Sequence, residues 1–210
     1  MFKNRKEAGV KLALALEKYK GKDVTVIALP KGGIEIAFEV AKYLNAEFSI
    51  IIVRKLPFPD NPEAGFGAVA EDGSIYINRQ SSWYLSEKEI NDIISAQKNE
   101  VKRRILILRK GKPLPNLTGK TVILIDDGIA GGSTIRAAIM LCKKQQVKKI
   151  IVAVPVAGRE VALQMSKLAD ETVVLEMPYN FHAVAQVYEN WYDVSDEEVL
   201  EIIGRIGIKD

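Results

Sequence analysis

Short apolar runs rich in β-branched residues alternate along the chain with longer stretches whose apolar positions recur every three or four residues. Ala8, Val10, Leu12, Leu16 and Tyr19, set among polar neighbours, predict an amphipathic helix over residues 8–20. Val24-Thr25-Val26-Ile27-Ala28-Leu29 reads as a strand, closed by the turn signal Pro30-Lys31-Gly32-Gly33. Helical spacing returns with Ile34, Ala37, Phe38, Ala41 and Leu44, and Phe48-Ser49-Ile50-Ile51-Ile52-Val53 supplies a second strand. Residues 86–109 are helical, with Ser86 as N-cap and Glu89 three positions on. The rhythm then resumes: strand 121–125, helix 132–145, strand 150–154, helix 159–168, strand 172–175. A last helix opens near Ser195-Asp196-Glu197-Glu198. Nearly continuous apolar strands separated by helices need cover on both faces. The expected fold is therefore α/β, with a parallel core sheet of about five strands flanked by helices.

Residues 55–82 break the pattern. Pro57, Pro59 and Pro62 fall close together and Gly65 and Gly67 follow. The stretch reads as a long irregular loop that runs into a small hairpin with Gly73 in its turn, and loops of this length inside compact domains are usually functional or disordered.

Composition narrows the chemistry. The 210 residues suit one domain, and 48% hydrophobic with 27% charged residues is near the globular average. No apolar run reaches the roughly 18 residues of a membrane span, and no apolar core follows the basic N-terminus as in a signal peptide, so a cytoplasmic, membrane-free location is expected. One cysteine, Cys142, excludes an intrachain disulfide and a cysteine-based zinc site; its apolar neighbours mark it as a core thiol. One histidine, His182, excludes a multi-histidine metal site. A net charge of +3 gives no reason to expect nucleic acid.

The richest chemistry lies in Val122-Ile123-Leu124-Ile125-Asp126-Asp127-Gly128-Ile129-Ala130-Gly131-Gly132-Ser133-Thr134. An apolar strand ends in two carboxylates, a loop of small residues follows, and a helix starts from it. Ligands of open parallel sheets bind at the carboxyl ends of strands. Gly131 and Gly132 allow backbone N–H groups close to an anion, and Ser133 and Thr134 add hydroxyl donors at a helix N-terminus: a phosphate cradle. The acids beside it would repel phosphate and need another target, either sugar hydroxyls or a hydrated Mg²⁺. The stretch has neither the lysine of a Walker A loop nor the glycine spacing of a dinucleotide fingerprint.

Residues 122–134 resemble the ribose-phosphate motif of type I phosphoribosyltransferases. Phe2, Arg5, Ala8-Gly9, Pro30-Lys31-Gly32-Gly33, Arg54-Lys55, Asn61-Pro62-Glu63, Gly67-Ala68-Val69-Ala70-Glu71 and Phe181-x-Ala183-Val184 extend the resemblance, to a prokaryotic subgroup of that family, over most of the chain. The resemblance implies a type I phosphoribosyltransferase-like fold with a core over about residues 20–176, a flexible loop over about 55–82, and a small hood from about 1–20 and 177–210. It implies transfer of a phosphoribosyl group from phosphoribosyl pyrophosphate to a nitrogen acceptor such as a nucleobase, with release of pyrophosphate, dependence on Mg²⁺, and a homodimer. Asp126 and Asp127 would hold the ribose hydroxyls and meet the metal through water. Ala130, Gly131, Gly132, Ser133 and Thr134 would bind the 5′-phosphate. Pro30, Lys31, Gly32 and Gly33 would form the pyrophosphate loop, with a cis peptide at Pro30–Lys31, and Arg54 and Lys55 would add charge beside it. Phe181 would stack on the acceptor, and Glu63 and Glu71 are weak general-base candidates. Gly131 departs from the threonine frequent at this position and removes a hydroxyl contact; Ala130 stands where hypoxanthine-guanine enzymes carry an aspartate that meets the purine. The alternative is a non-catalytic sensor of phosphoribosyl pyrophosphate or a nucleotide, on the same fold.

Overall fold

The computed structural model describes residues 1–206, so the last four positions of the expected hood lie outside the described residues. Five parallel strands form the main sheet: β1 (Val24–Ala28), β2 (Glu47–Ile50), β6 (Thr121–Ile125), β7 (Lys149–Val156) and β8 (Glu171–Glu176). Their order across the sheet is β2-β1-β6-β7-β8. Every residue of β1 is buried, and all of β6 after Thr121, as strands covered on both faces require. Helices α1 (Arg5–Ala15), α2 (Gly33–Leu44), α3 (Glu87–Arg109), α4 (Ser133–Lys144), α5 (Arg159–Met165) and α6 (Asp196–Ile206) complete the layers. The capping box predicted at Ser86 is formed: the Ser86 hydroxyl accepts from the Glu89 amide and the Glu89 carboxylate accepts from the Ser86 amide.

Two features differ from the pattern read along the chain. The second apolar run divides. β2 ends at Ile50, and the chain leaves the parallel sheet to begin β3 (Val53–Pro57) in a second, three-stranded antiparallel sheet with β4 (Gly65–Ala70) and β5 (Ile75–Ile77). Much of the expected irregular loop is therefore ordered strand. The glycines of Gly65-Phe66-Gly67 read as loop, yet β4 is central in its sheet, with both edges hydrogen-bonded and Phe66–Ala70 buried. The hairpin turn at Gly73 is present, with φ +86°. Second, α1 is seated in the main core. Phe2, Ala8, Leu12 and Leu16 are fully buried in the same cluster as α2 and the strands. Phe2 also bridges to Tyr188, which ties the first residues to the tail.

The strand order sets the position of the site. From β1 the chain moves outward to β2, then returns to place β6, β7 and β8 on the other side. The crevice of such a sheet lies outside the carboxyl ends of the two strands where the order reverses, here β1 and β6.

Candidate functional site

Both loops singled out in the sequence leave the sheet at that reversal: residues 29–33 after β1 and 126–132 after β6. They abut. The Leu29 amide donates to the Ile125 carbonyl over 2.9 Å. A Cβ on Gly32 would stand 1.9 Å from Oδ2 of Asp127, so only glycine brings the two loops this close. The Pro30–Lys31 peptide bond is cis. In the second loop Ala130 and Gly131 are exposed, and Gly132, at φ +78°, turns the chain into α4. The first amides of α4, with Ser133 and Thr134 half-buried among them, point out of the helix without intrahelical partners. That end of a 12-residue helix carries partial positive charge and suits a phosphate.

The two carboxylates have unlike surroundings. Asp127 is held. Nε and Nη2 of Arg5, the first residue of α1, both donate to its Oδ2, over 3.1 and 3.0 Å. Arg5 is almost wholly buried; its Nη1 donates to the Tyr192 carbonyl and its guanidinium lies 4.0 Å from the centre of the Trp191 ring. The Tyr188 hydroxyl donates to the Asp127 carbonyl over 2.8 Å. Asp126 accepts a local bond, from the Asp127 amide to Oδ1 over 2.9 Å. Burial raises the Asp126 carboxyl well above its ordinary range, and the neighbouring Asp127 raises it further. Burial also raises Asp127, and Arg5 opposes that rise. Of the two acids, Asp127 is the one paired with a cation among the described residues.

The remaining candidates divide. Arg54 and Lys55 are consecutive in β3 and so project to opposite faces. Arg54 faces α3, donating from Nε to Gln97, while Lys55 donates to the Glu63 carbonyl in the turn before β4. The structure does not bring them together. Lys31 pairs with Asp196 of α6. Phe181 lies half-buried beside the turn after β7, its ring 3.5 Å from where a Cβ on Gly158 would be. Val184 closes over Gly128 in the same way. Glu71 is not poised as a base: it is buried in an ion pair with Arg109 and also accepts the Ile52 amide. Burial raises it and Arg109 opposes the rise. Glu63 is exposed on its turn. Cys142 is a core thiol, pushed up to about 12 by burial. Trp191 and Tyr192 are not legible as site residues, because each acts through Arg5, far away in sequence.

A phosphoribosyl transferase domain family model matches residues 6–190. The chain belongs to this family. Over 207 residues the phosphoribosyl transferase domain is 37% identical to a Mycobacterium tuberculosis protein named "Putative phosphoribosyl transferase Rv0571c", a match that covers 98% of this chain and 47% of the relative. The chain spans about half the length of the curated relatives it matches. The domain is also similar to the solved structure of TT1426 from Thermus thermophilus, at 33% identity and a TM-score of 0.79, with 97% of each chain covered. Among the described residues of the phosphoribosyl transferase domain, no helix is long and apolar enough to cross a membrane.

Proposed function

We propose that this domain moves the 5-phosphoribosyl group of phosphoribosyl pyrophosphate to a ring nitrogen of a nucleobase. The carrying observation is the meeting of two loops at the β1/β6 reversal, a helix-capped small-residue loop on one side and the Lys31 loop on the other, with Asp126 between them. The amides of residues 130–134 take the 5′-phosphate, and the hydroxyls of Ser133 and Thr134 offset what Gly131 lacks. Asp126 accepts from the ribose hydroxyls, and Arg5 fixes Asp127 so that the acid pair keeps one orientation. The C1–O bond to pyrophosphate breaks with its electron pair going to the leaving group, and the C1–N bond forms. The acceptor nitrogen gives its proton to solvent. Lys31 meets the charge that grows on the pyrophosphate. Phe181 and Val184 border the acceptor side.

The donor set fits a Mg²⁺ that arrives with the substrate. Among the described residues no group of three or more His, Cys, Asp or Glu could hold an ion unaided, but Asp126 would hold one through water together with the substrate's phosphates. When bound, the ion neutralises charge on the departing pyrophosphate.

Calorimetry with phosphoribosyl pyrophosphate and Mg²⁺, followed by pyrophosphate release over a panel of nucleobases, tests the reading. Binding by the wild type, weakened about tenfold or more in Asp126→Asn, is expected, since a charge-assisted hydrogen bond is lost. Unchanged affinity in that variant refutes the site. Tight binding without turnover of any base would assign the domain to sensing instead.

A further inference from the structure

Lys31, the cation of the loop after β1, is not free in the crevice. Its Nζ stands 3.1 Å from Oδ1 of Asp196, the first residue of α6. Arg103 of α3 approaches the other oxygen, Oδ2, at 3.9 Å. One carboxylate is straddled by two cations that come from different elements. Its position is set by the cap of α6, where Ser195 and Glu198 exchange hydrogen bonds between amide and side chain. Around the straddled group the charges do not balance. Arg103 and Arg104 both donate to Glu100, and Arg54 lies within electrostatic reach of all three and of Asp196. Glu197, beside Asp196, also acts on Lys31, so four cations face three carboxylates, an excess that attracts further negative charge. The assembly is open to ligands: the Lys31 side chain is 31% exposed and that of Arg103 50%.

We infer that Lys31 and Arg103 form a clamp for a diphosphate group, and that Asp196 fills this clamp in the free protein as an internal competitor. The inference rests on the reading of Lys31 given above and extends it. It adds Arg103 to the binding groups and makes α6 an element that yields on binding. The geometry supports exchange. A carboxylate offers a single charge and reaches Arg103 only at long range, whereas a diphosphate carries more charge and oxygens spread widely enough to meet both cations closely. The Lys31–Asp196 pair is only half-buried, and the Asp196 oxygen facing Lys31 accepts no hydrogen bond, so an incoming diphosphate that bonds to Lys31 displaces a carboxylate held by charge alone.

The test uses the full chain in Mg²⁺ buffer at low ionic strength and two separate probes, inorganic pyrophosphate and ribose 5-phosphate. Asp196→Asn is expected to bind pyrophosphate about threefold to fivefold more tightly than the wild type, the factor corresponding to loss of one half-buried pair without a hydrogen bond. Arg103→Gln is expected to bind it several-fold more weakly. Ribose 5-phosphate, held by the loop before α4, should bind equally to all three proteins, which also reports that the variants are folded. Pyrophosphate affinity that does not rise in Asp196→Asn overturns the clamp, as does a rise shared by both probes, which would be a general charge effect. So does an unchanged affinity in Arg103→Gln. A wild type that binds neither probe overturns the parent reading; one that binds both, with Asp196→Asn no tighter, overturns the clamp alone.

Discussion

Asp127 and Gly32 show how much a single position decides. Without a side chain on Gly32, the Asp127 carboxylate packs against the loop after β1 and still reaches Arg5. A methyl group there would meet Oδ2 at 1.9 Å and push it off the guanidinium. Arg5 would then be a buried cation without its carboxylate, a loss of about 3–5 kcal/mol by the usual cost of breaking such a pair. Gly32→Ala is therefore expected to lower the urea midpoint sharply; a midpoint within error of the wild type would show that the loops part without penalty. The acids and the glycine stand out in the sequence for their types and order. The partner of Asp127 does not: it lies 122 residues away and belongs to a helix whose periodicity speaks only of packing.

Among the elements, α3 and β4 carry the least expected contact. Arg109, the last residue of α3, is buried and pairs with Glu71, which follows β4; it also donates to the Ile50 carbonyl at the end of β2. One guanidinium thereby joins the helix to the place where the chain passes from the parallel to the antiparallel sheet. Arg109→Met removes it and strands Glu71 in a low-dielectric site. We expect a loss of about 3–5 kcal/mol in chemical denaturation, whereas a loss below about 1 kcal/mol would show that solvent reaches Glu71. The helix itself was legible, cap included, because capping and periodicity are local. β4 was not. Its glycines mimic a loop, and its strand character comes from the two partners that hydrogen-bond its edges.

For the molecule as a whole, the N-terminal segment is bound to the sheet by polar contacts as well as by the core. Glu171 of β8 receives Lys18 and the Tyr19 hydroxyl from the turn after α1, and Lys149 of β7. Burial acts to raise its carboxyl, but hydrogen bonds from Lys18, Tyr19 and Lys149 prevail and bring it from 4.5 to about 2. A depressed carboxylate stabilises the fold in full above the unfolded value. That contribution fades as pH falls from about 4.5 to about 2. Glu171→Gln should lower stability by about 1 kcal/mol at neutral pH, a modest loss because the cluster is partly exposed. It should also flatten the decline of melting temperature over that acid interval. An equally steep decline in the variant would assign the acid sensitivity to other groups.

Taken alone, the sequence determined the alternation of strands and helices, the helix caps, the acid pair and the small-residue loop before α4. These depend on neighbours within a few positions, where backbone sterics and side-chain period act directly. Tertiary structure alone decided which acid is paired with Arg5, which face Arg54 and Lys55 each take, that α1 joins the core, and that Asp196 meets both Lys31 and Arg103. Most of these are meetings of residues far apart in the chain. Such meetings follow from strand order and helix packing, and no local pattern of residue types encodes them.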